Sequence, residues 1–208
     1  MTPTTLPKTL RSFYNLTAPE ALEARRTALL LVDFQREFTD GALPVPDARS
    51  AIERASLLLR WARAAGLHAV HVHQESPEGS PLFAAGTRSA EVVAELVPAV
   101  GELVIHKRLG GAFSKTPLDA ELRARGVHTL VIAGIMTHLA VDTSVRDATV
   151  LGYEVLLAAD ACATRSLPGW DGELVVRDRE LQRASLAALA DRFADVRLAA
   201  AIAALPIR

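Results

Sequence analysis

The side chains of this sequence that could do chemistry together are few, and they lie far apart along the chain. Asp33 closes an apolar run, TALLLVD at 27–33, with Phe34, Gln35 and Phe38 just beyond it. His106 and Lys107 close ELVIHK at 102–107. HTLVIA at 128–133 leads through Gly134 and Ile135 to Met136, Thr137, His138, Leu139 and Ala140, and Asp160 follows EVLLAA at 154–159. A carboxylate and an ammonium brought to one crevice can move protons and hold charge, which makes Asp33 and Lys107 the pair of interest. From spacing alone, a plain ion pair or two separate solvated ends is the simpler reading. The stretch after Gly134 reads as a helix start, whose free N–H groups and positive dipole end suit an oxyanion or a thiolate. It carries no ionisable nucleophile, because Ala140 has only a methyl group.

These residues converge only if each stands at the C-terminal end of a strand in one parallel sheet, where open α/β sheets bind ligands. The chain reads that way. Continuous apolar runs predict strands over 27–33, 67–74, 102–107, 128–133, 154–159 and 195–198. Between them the pattern predicts helices over 47–65 (Ile52, Ala55, Leu59 and Ala62 on one stripe), 90–97, 117–125, 137–151, 178–193 (Leu181, Ser185, Leu189 and Phe193 inward) and 199–205. Gly66, Gly126 and Gly152 stop three of them. Residues 75–89, rich in Pro, Gly and Ser, read as a surface loop. Residues 1–26 read as an arm with a short helix over 19–25, capped by Thr17. Strands alternating with helices give a three-layer α/β/α architecture: a Rossmann-like parallel sheet of about six strands with helices on both faces. No linker or repeat interrupts it, so the expectation is one domain over 1–208.

Composition narrows the function. Of 208 residues, 23 are basic and 24 acidic, for a formal charge of −1, which argues against a nucleic-acid binder driven by bulk charge. One cysteine, Cys162, excludes an internal disulfide framework and a cysteine-rich zinc site. The longest apolar runs, near 28–32 and 198–205, fall far short of the roughly 20 residues of a membrane span, and residues 1–15 lack the apolar core of an export signal. A cytoplasmic protein with no membrane partner is expected. No G-x-G-x-x-G follows the first strand, and neither a P-loop nor a G-x-S-x-G elbow is present.

The segments LLLVDFQREF (29–38), HKRLGGAF (106–113), AGIMTHLAVDTSVRDATVLGYEV (133–155) and ADACAT (159–164) together resemble the isochorismatase-like hydrolases, also called cysteine hydrolases. The resemblance runs over roughly residues 25–200. It implies a hydrolase of a small amide, imide or ureido compound with an Asp-Lys-Cys triad. Asp33 would be the general base, Lys107 would stabilise both anions, and the cysteine would stand at the position of Ala140. It implies a non-proline cis peptide at Ile135–Met136, and an oxyanion hole of the Met136 and residue-140 amides. Gln35, Phe38, Leu109, Thr137 and His138 are expected around the substrate, with Trp170 a further candidate. Family members are dimers or tetramers, so a homo-oligomer is expected, with the apolar segment after Leu198 available for an interface. No cofactor is implied. Nicotinamidases of the family hold a metal through Asp-x-His and a later His, but HVHQESPEGSPLF at 71–83 has no Asp-x-His, so no metal is expected. His71 and His73 share one strand face and read as packing.

The sequence departs from the pattern at Ala140, where the nucleophile is missing. Three readings stand. Cysteine has been replaced by alanine through engineering, which the intact surroundings of position 140 favour. Or the chain is a natural member without cysteine, as true isochorismatases are, cleaving a vinyl ether with the aspartate as acid. Or it is a pseudoenzyme that binds a small ligand. True isochorismatases typically have Trp-Arg-Tyr-Ser-Ala-Phe after the lysine and Tyr-Ala-His before the helix. RLGGAF at 108–113 and Met136-Thr137-His138 favour the amidase branch. Cys162 reads as a small buried apolar residue rather than the missing thiol.

Overall fold

A computed structural model describes residues 6–208. Strand β1 (Thr27–Val32) is buried at every position, as its unbroken apolar run requires of a strand covered on both faces. It lies at the centre of six parallel strands. With β2 (His68–Gln74), β3 (Leu103–Lys107), β4 (Thr129–Ile135), β5 (Glu154–Ala163) and the short strand at Asp195–Arg197, the order is β3-β2-β1-β4-β5 and then that last strand. The order reverses between β1 and β4, paired in register from Thr27↔Thr129 to Val32↔Gly134, so a ligand crevice is expected beyond Val32 and Gly134.

Alternate residues of the strands feed two cores. Leu29, Leu31, Val131, Ala133 and Leu156 face helix α2 (Ala48–Ala64), numbered after the arm's single turn α1 (Leu10–Phe13). Leu30, Val32, Leu130 and Ile132 face α3 (Leu118–Ala124), α4 (Asp142–Val150) and α5 (Asp178–Arg192). The anticipated α2 stripe of Ile52, Ala55, Leu59 and Ala62 is buried, and Gly66 ends the helix with φ 71°. The last helix, α6 (Ala199–Ala203), packs Ala199 and Ile202 into the α2 core, so much of the segment proposed for an interface is used internally. No helix among the described residues is long and apolar enough to cross a membrane.

Several local expectations are corrected. The helix over 19–25 reduces to a single 3₁₀ turn at its end, Ala24–Arg26. Leu22 pairs with Ile207 instead, with Leu22 N–H on the Pro206 carbonyl (2.8 Å) and Arg208 N–H on the Leu22 carbonyl (2.9 Å), so pairing with the distant C-terminus overrides a local capping signal. The first five residues of the arm lie outside the described residues. The helix over 90–97 is two single 3₁₀ turns, Arg88–Ala90 and Ala94–Leu96. In α5 only Leu189 of the anticipated stripe is fully buried. An unforeseen hairpin, β6 (Leu167–Pro168) with β7 (Val175–Val176), carries Trp170 fully exposed; with these, the strand at Asp195–Arg197 is β8. The loop over 75–89 is not simply a surface loop, because Phe83 and Ala84 are buried.

Candidate active site

The strand ends at the switch point meet around one cavity of about 600 Å³. Asp33 directly follows β1, where the chain turns: its φ is 55°, in the left-handed region that non-glycine residues rarely enter. Its N–H still continues the ladder to the Val72 carbonyl (2.8 Å). Lys107 ends β3. Its ammonium donates to Asp33 Oδ2 (2.7 Å), to Gln74 Oε1 (2.8 Å) and to the Leu109 carbonyl (3.2 Å), which uses all three of its protons. Both residues are almost wholly buried, at 3% and 2% exposure. The other Asp33 oxygen, Oδ1, has no protein partner.

Burial decides the state of Asp33. Removing a carboxylate from water disfavours its charged form, and here this outweighs the attraction and hydrogen bond of Lys107 and the nearby Gln74 backbone. The carboxyl is pushed up to about 6. A group that titrates near neutrality, with one oxygen held and the other unpartnered, can give or take a proton at physiological pH.

The opposite wall comes from β4 and the turn that follows. The Ile135–Met136 peptide is cis, as the family resemblance implied. Thr137–Val141 then forms one wide π turn, with Val141 N–H reaching the Met136 carbonyl (3.2 Å), before α4 begins. Ser144 Oγ donates to the Ala140 carbonyl (2.6 Å) and accepts from the Ala112 N–H (2.9 Å), tying this turn to the loop after Lys107. Gly134 is needed where β4 passes β1: a Cβ there would meet the Val32 carbonyl oxygen at 2.6 Å.

Of the expected residues, Asp33, Lys107, Phe38, Leu109, Met136 and Ala140 surround the cavity. Gln35, Thr137 and His138 do not line it. Gln35 is a staple: its Nε2 donates to the Gln74 and Ala90 carbonyls (2.8 and 2.7 Å), and its Oε1 accepts from Gln74 N–H (2.8 Å). Thr137 is fully buried beneath the turn. His138 Nδ1 is bonded to Thr164 Oγ1, and Trp170 sits at the hairpin tip, away from the lining residues.

Sequence reasoning missed Gln74, Leu82, Phe83, Arg108 and Arg165, which also line the cavity. Gln74 was findable, since it ends β2 as Asp33 follows β1. Leu82 and Phe83 come from the loop over 75–89, which Glu37 fastens down: its buried carboxylate accepts from Ala42 N–H (2.6 Å) and Phe83 N–H (3.0 Å). Phe83 then packs edge-on against Phe38, with ring centroids 5.4 Å apart. Cys162 is buried, and burial pushes its thiol up to about 12, far from a reactive range. His71 Nε2 is engaged by Glu102 (2.9 Å), which Arg63 also grips.

Comparison with known proteins adds to this geometry. The family model described as the isochorismatase domain matches residues 27–201. A secreted isochorismatase effector of Verticillium dahliae is 35% identical over 175 residues, covering 84% of this chain and 89% of that protein. A ureidoacrylate amidohydrolase of Methylorubrum extorquens is 32% identical over 179 residues, covering 69% and 72%. The crystal structure of an isochorismatase from Pseudomonas putida superposes with a TM-score of 0.87 at 31% identity, covering 94% of this chain and 99% of that one.

Proposed function

The chain belongs to the isochorismatase family, and from that premise we propose that it is a hydrolase of a small organic molecule in which Asp33 moves the proton and Lys107 balances the charge on Asp33. The observation that carries this reading is the Asp33 carboxyl itself: buried, held by Lys107 through one oxygen, without a hydrogen-bond partner at the other, and pushed up to about 6. The bond cut by this scaffold is a C–N bond of an amide, imide or ureido compound, and Ala140 stands where the attacking cysteine belongs, by replacement. The amidohydrolase relative supports that choice.

With a thiol at position 140, Asp33 takes its proton and the thiolate attacks the planar carbonyl. The tetrahedral oxyanion rests on the Met136 and residue-140 amides. The amine leaves with the proton from Asp33, and a water deprotonated by Asp33 cleaves the thioester to release the acid. The chain with alanine is silent by this route.

A second reading is favoured by one observation: Asp33 alone, near 6, is already matched to proton donation without any thiol. Asp33 would protonate the terminal carbon of a vinyl ether, water would add to the resulting oxocarbenium carbon and return a proton to Asp33, and the hemiketal would collapse to a carbonyl compound and an alcohol. A turnover assay separates the two. Ala140→Cys is expected to hydrolyse members of a panel of small amides, imides and ureas, and Ala140→Cys with Asp33→Asn is not. Silence of Ala140→Cys across that panel contradicts the C–N reading. Vinyl-ether cleavage by the chain with alanine, lost in Asp33→Ala, supports the second. A chain inert in both assays that binds a small ligand tightly is the pseudoenzyme.

A further inference from the structure

The cavity takes its lining from two sources. The strand ends bring Asp33 and Lys107, while the loops over 41–46 and 75–89 bring Leu43 and Leu82 to the same space. Leu82 is out of character with its loop, since ESPEGSP at 75–81 precedes it without one large apolar side chain. Each leucine packs against the core that faces α2, yet each stays only partly buried and lines the cavity. Leu109 and Leu139 carry the apolar surface outward, at 46% and 47% exposure. One carboxylate holds both loop leucines. Glu37 accepts from the N–H of Ala42 (2.6 Å), which precedes Leu43, and from the N–H of Phe83 (3.0 Å), which follows Leu82. Ser76 closes the Leu82 loop further: its N–H donates to the Phe83 carbonyl (2.9 Å), and its carbonyl accepts from Ala85 N–H (3.0 Å). The leucine surface is therefore in place before a ligand arrives, and binding has no loop to order.

We propose that the substrate carries a bulky apolar group, branched alkyl or aryl, beside the bond that is cut, and that Leu82 together with Leu43 selects it. This rests on reading the cavity as the substrate site and deepens that reading by naming the substrate class; it holds for either bond. A cavity of about 600 Å³ is on the scale that encloses an organic molecule of many atoms. A bare urea or acetamide beside Asp33 would leave the leucines facing water. Water finds no hydrogen-bond partner on a leucine surface, and its release is favourable, about fourfold in affinity for each methylene buried. A polar group of the same shape gains nothing there and loses its hydration.

Three uncharged amides test this on the chain with alanine at 140, with dissociation constants taken from NMR shift titrations. They are 3-methylbutanamide, phenylacetamide and malonamide, the last matching the first in shape with an amide in place of its two methyl groups. The two apolar amides are expected to bind about tenfold or more tightly than malonamide. Leu82→Asn is expected to remove most of that preference without weakening malonamide, and Leu82→Met, of similar volume, to keep it. Leu43→Asn, on the other loop, should act in the same direction as Leu82→Asn. Leu174→Asn, exposed on the hairpin and outside the cavity lining, should leave the preference intact, which separates this surface from general apolar adhesion. The proposal is overturned if neither apolar amide binds more tightly than malonamide, if the preference survives Leu82→Asn, or if Leu82→Asn weakens all three alike, which would mark a structural role. The readout is binding alone. Failure of the Asp33 chemistry would appear as lost turnover with the apolar preference intact, and failure here would leave turnover of small polar amides by Ala140→Cys untouched.

Discussion

Asp33 is held by two opposed effects, and the order of their sizes sets its use. Burial raises its proton affinity and Lys107 lowers it; burial wins, leaving the group near 6 where a solvated aspartate titrates near 3.8. The consequence for folding has a definite sign. The folded chain binds this proton more tightly than the unfolded chain, so the contribution to stability is full below about 3.8 and is lost as pH rises through about 6. The consequence for rate depends on the role. If Asp33 acts as acid, kcat/KM measured on a cleaved vinyl ether falls with rising pH above about 6. If it acts as base toward a thiol in Ala140→Cys, kcat/KM on an amide rises with pH and levels off above about 6. In either case Asp33→Asn is expected to lower kcat by roughly 10²- to 10⁴-fold. A profile without a limb near 6 in both assays contradicts the assignment.

At the scale of elements, one wall of the site depends on a loop pinned by a buried acid. Glu37 holds the Phe83 segment and the Ala42 segment through two N–H bonds, and Phe38 and Leu43 stand on the same wall. Glu37→Gln turns one acceptor into a donor facing an N–H. It should cost on the order of 1–3 kcal/mol in denaturant unfolding and raise KM more than it lowers kcat; an unchanged KM argues that the loop is held otherwise. Glu102 fastens the start of β3 to α2 and β2 through Arg63, His71 and the Ala99 N–H (2.8 Å), and these partners hold its carboxyl down at about 2. Because its folded value lies below its ordinary 4.5, the stability it supplies is present above that value and is lost as pH falls from 4.5 toward 2. Melting temperatures of the unaltered chain and Glu102→Gln should therefore converge over that interval; parallel curves would show that Glu102 contributes no charge-dependent stability. These pins explain what was legible in the sequence and what was not. The strand order around β1, and Asp33, Lys107, Met136 and Ala140 beside the cavity, follow from apolar runs and strand ends, which are local signals. Gln35 and His138 are turned away from the cavity, and Arg165 and Phe83 were overlooked, because side-chain direction in a loop is decided by partners tens of residues away. The same cause dissolved the helix over 19–25, where Leu22 pairs with Ile207.

At the scale of the whole molecule, the sheet does one thing for the site: it delivers residues from the ends of β1, β2, β3, β4 and β5 to the point where the order reverses. The surface then bears on assembly. Trp170, Leu174 and Val175 on the hairpin are exposed, while Ala199 and Ile202 are spent on the core. We propose a homo-oligomer, and sedimentation equilibrium should return a mass at least twice 22.3 kDa; a monomer at micromolar concentration contradicts it. The account as a whole stands on the protonation of one carboxyl, whichever bond is cut. A ¹³C carboxyl titration of the intact chain, with the Asp33 resonance identified by its loss in Asp33→Asn, measures that directly. A midpoint near 6 is the predicted result; a midpoint at or below the ordinary 3.8 would show Asp33 to be a fixed counter-ion of Lys107, with no proton to move.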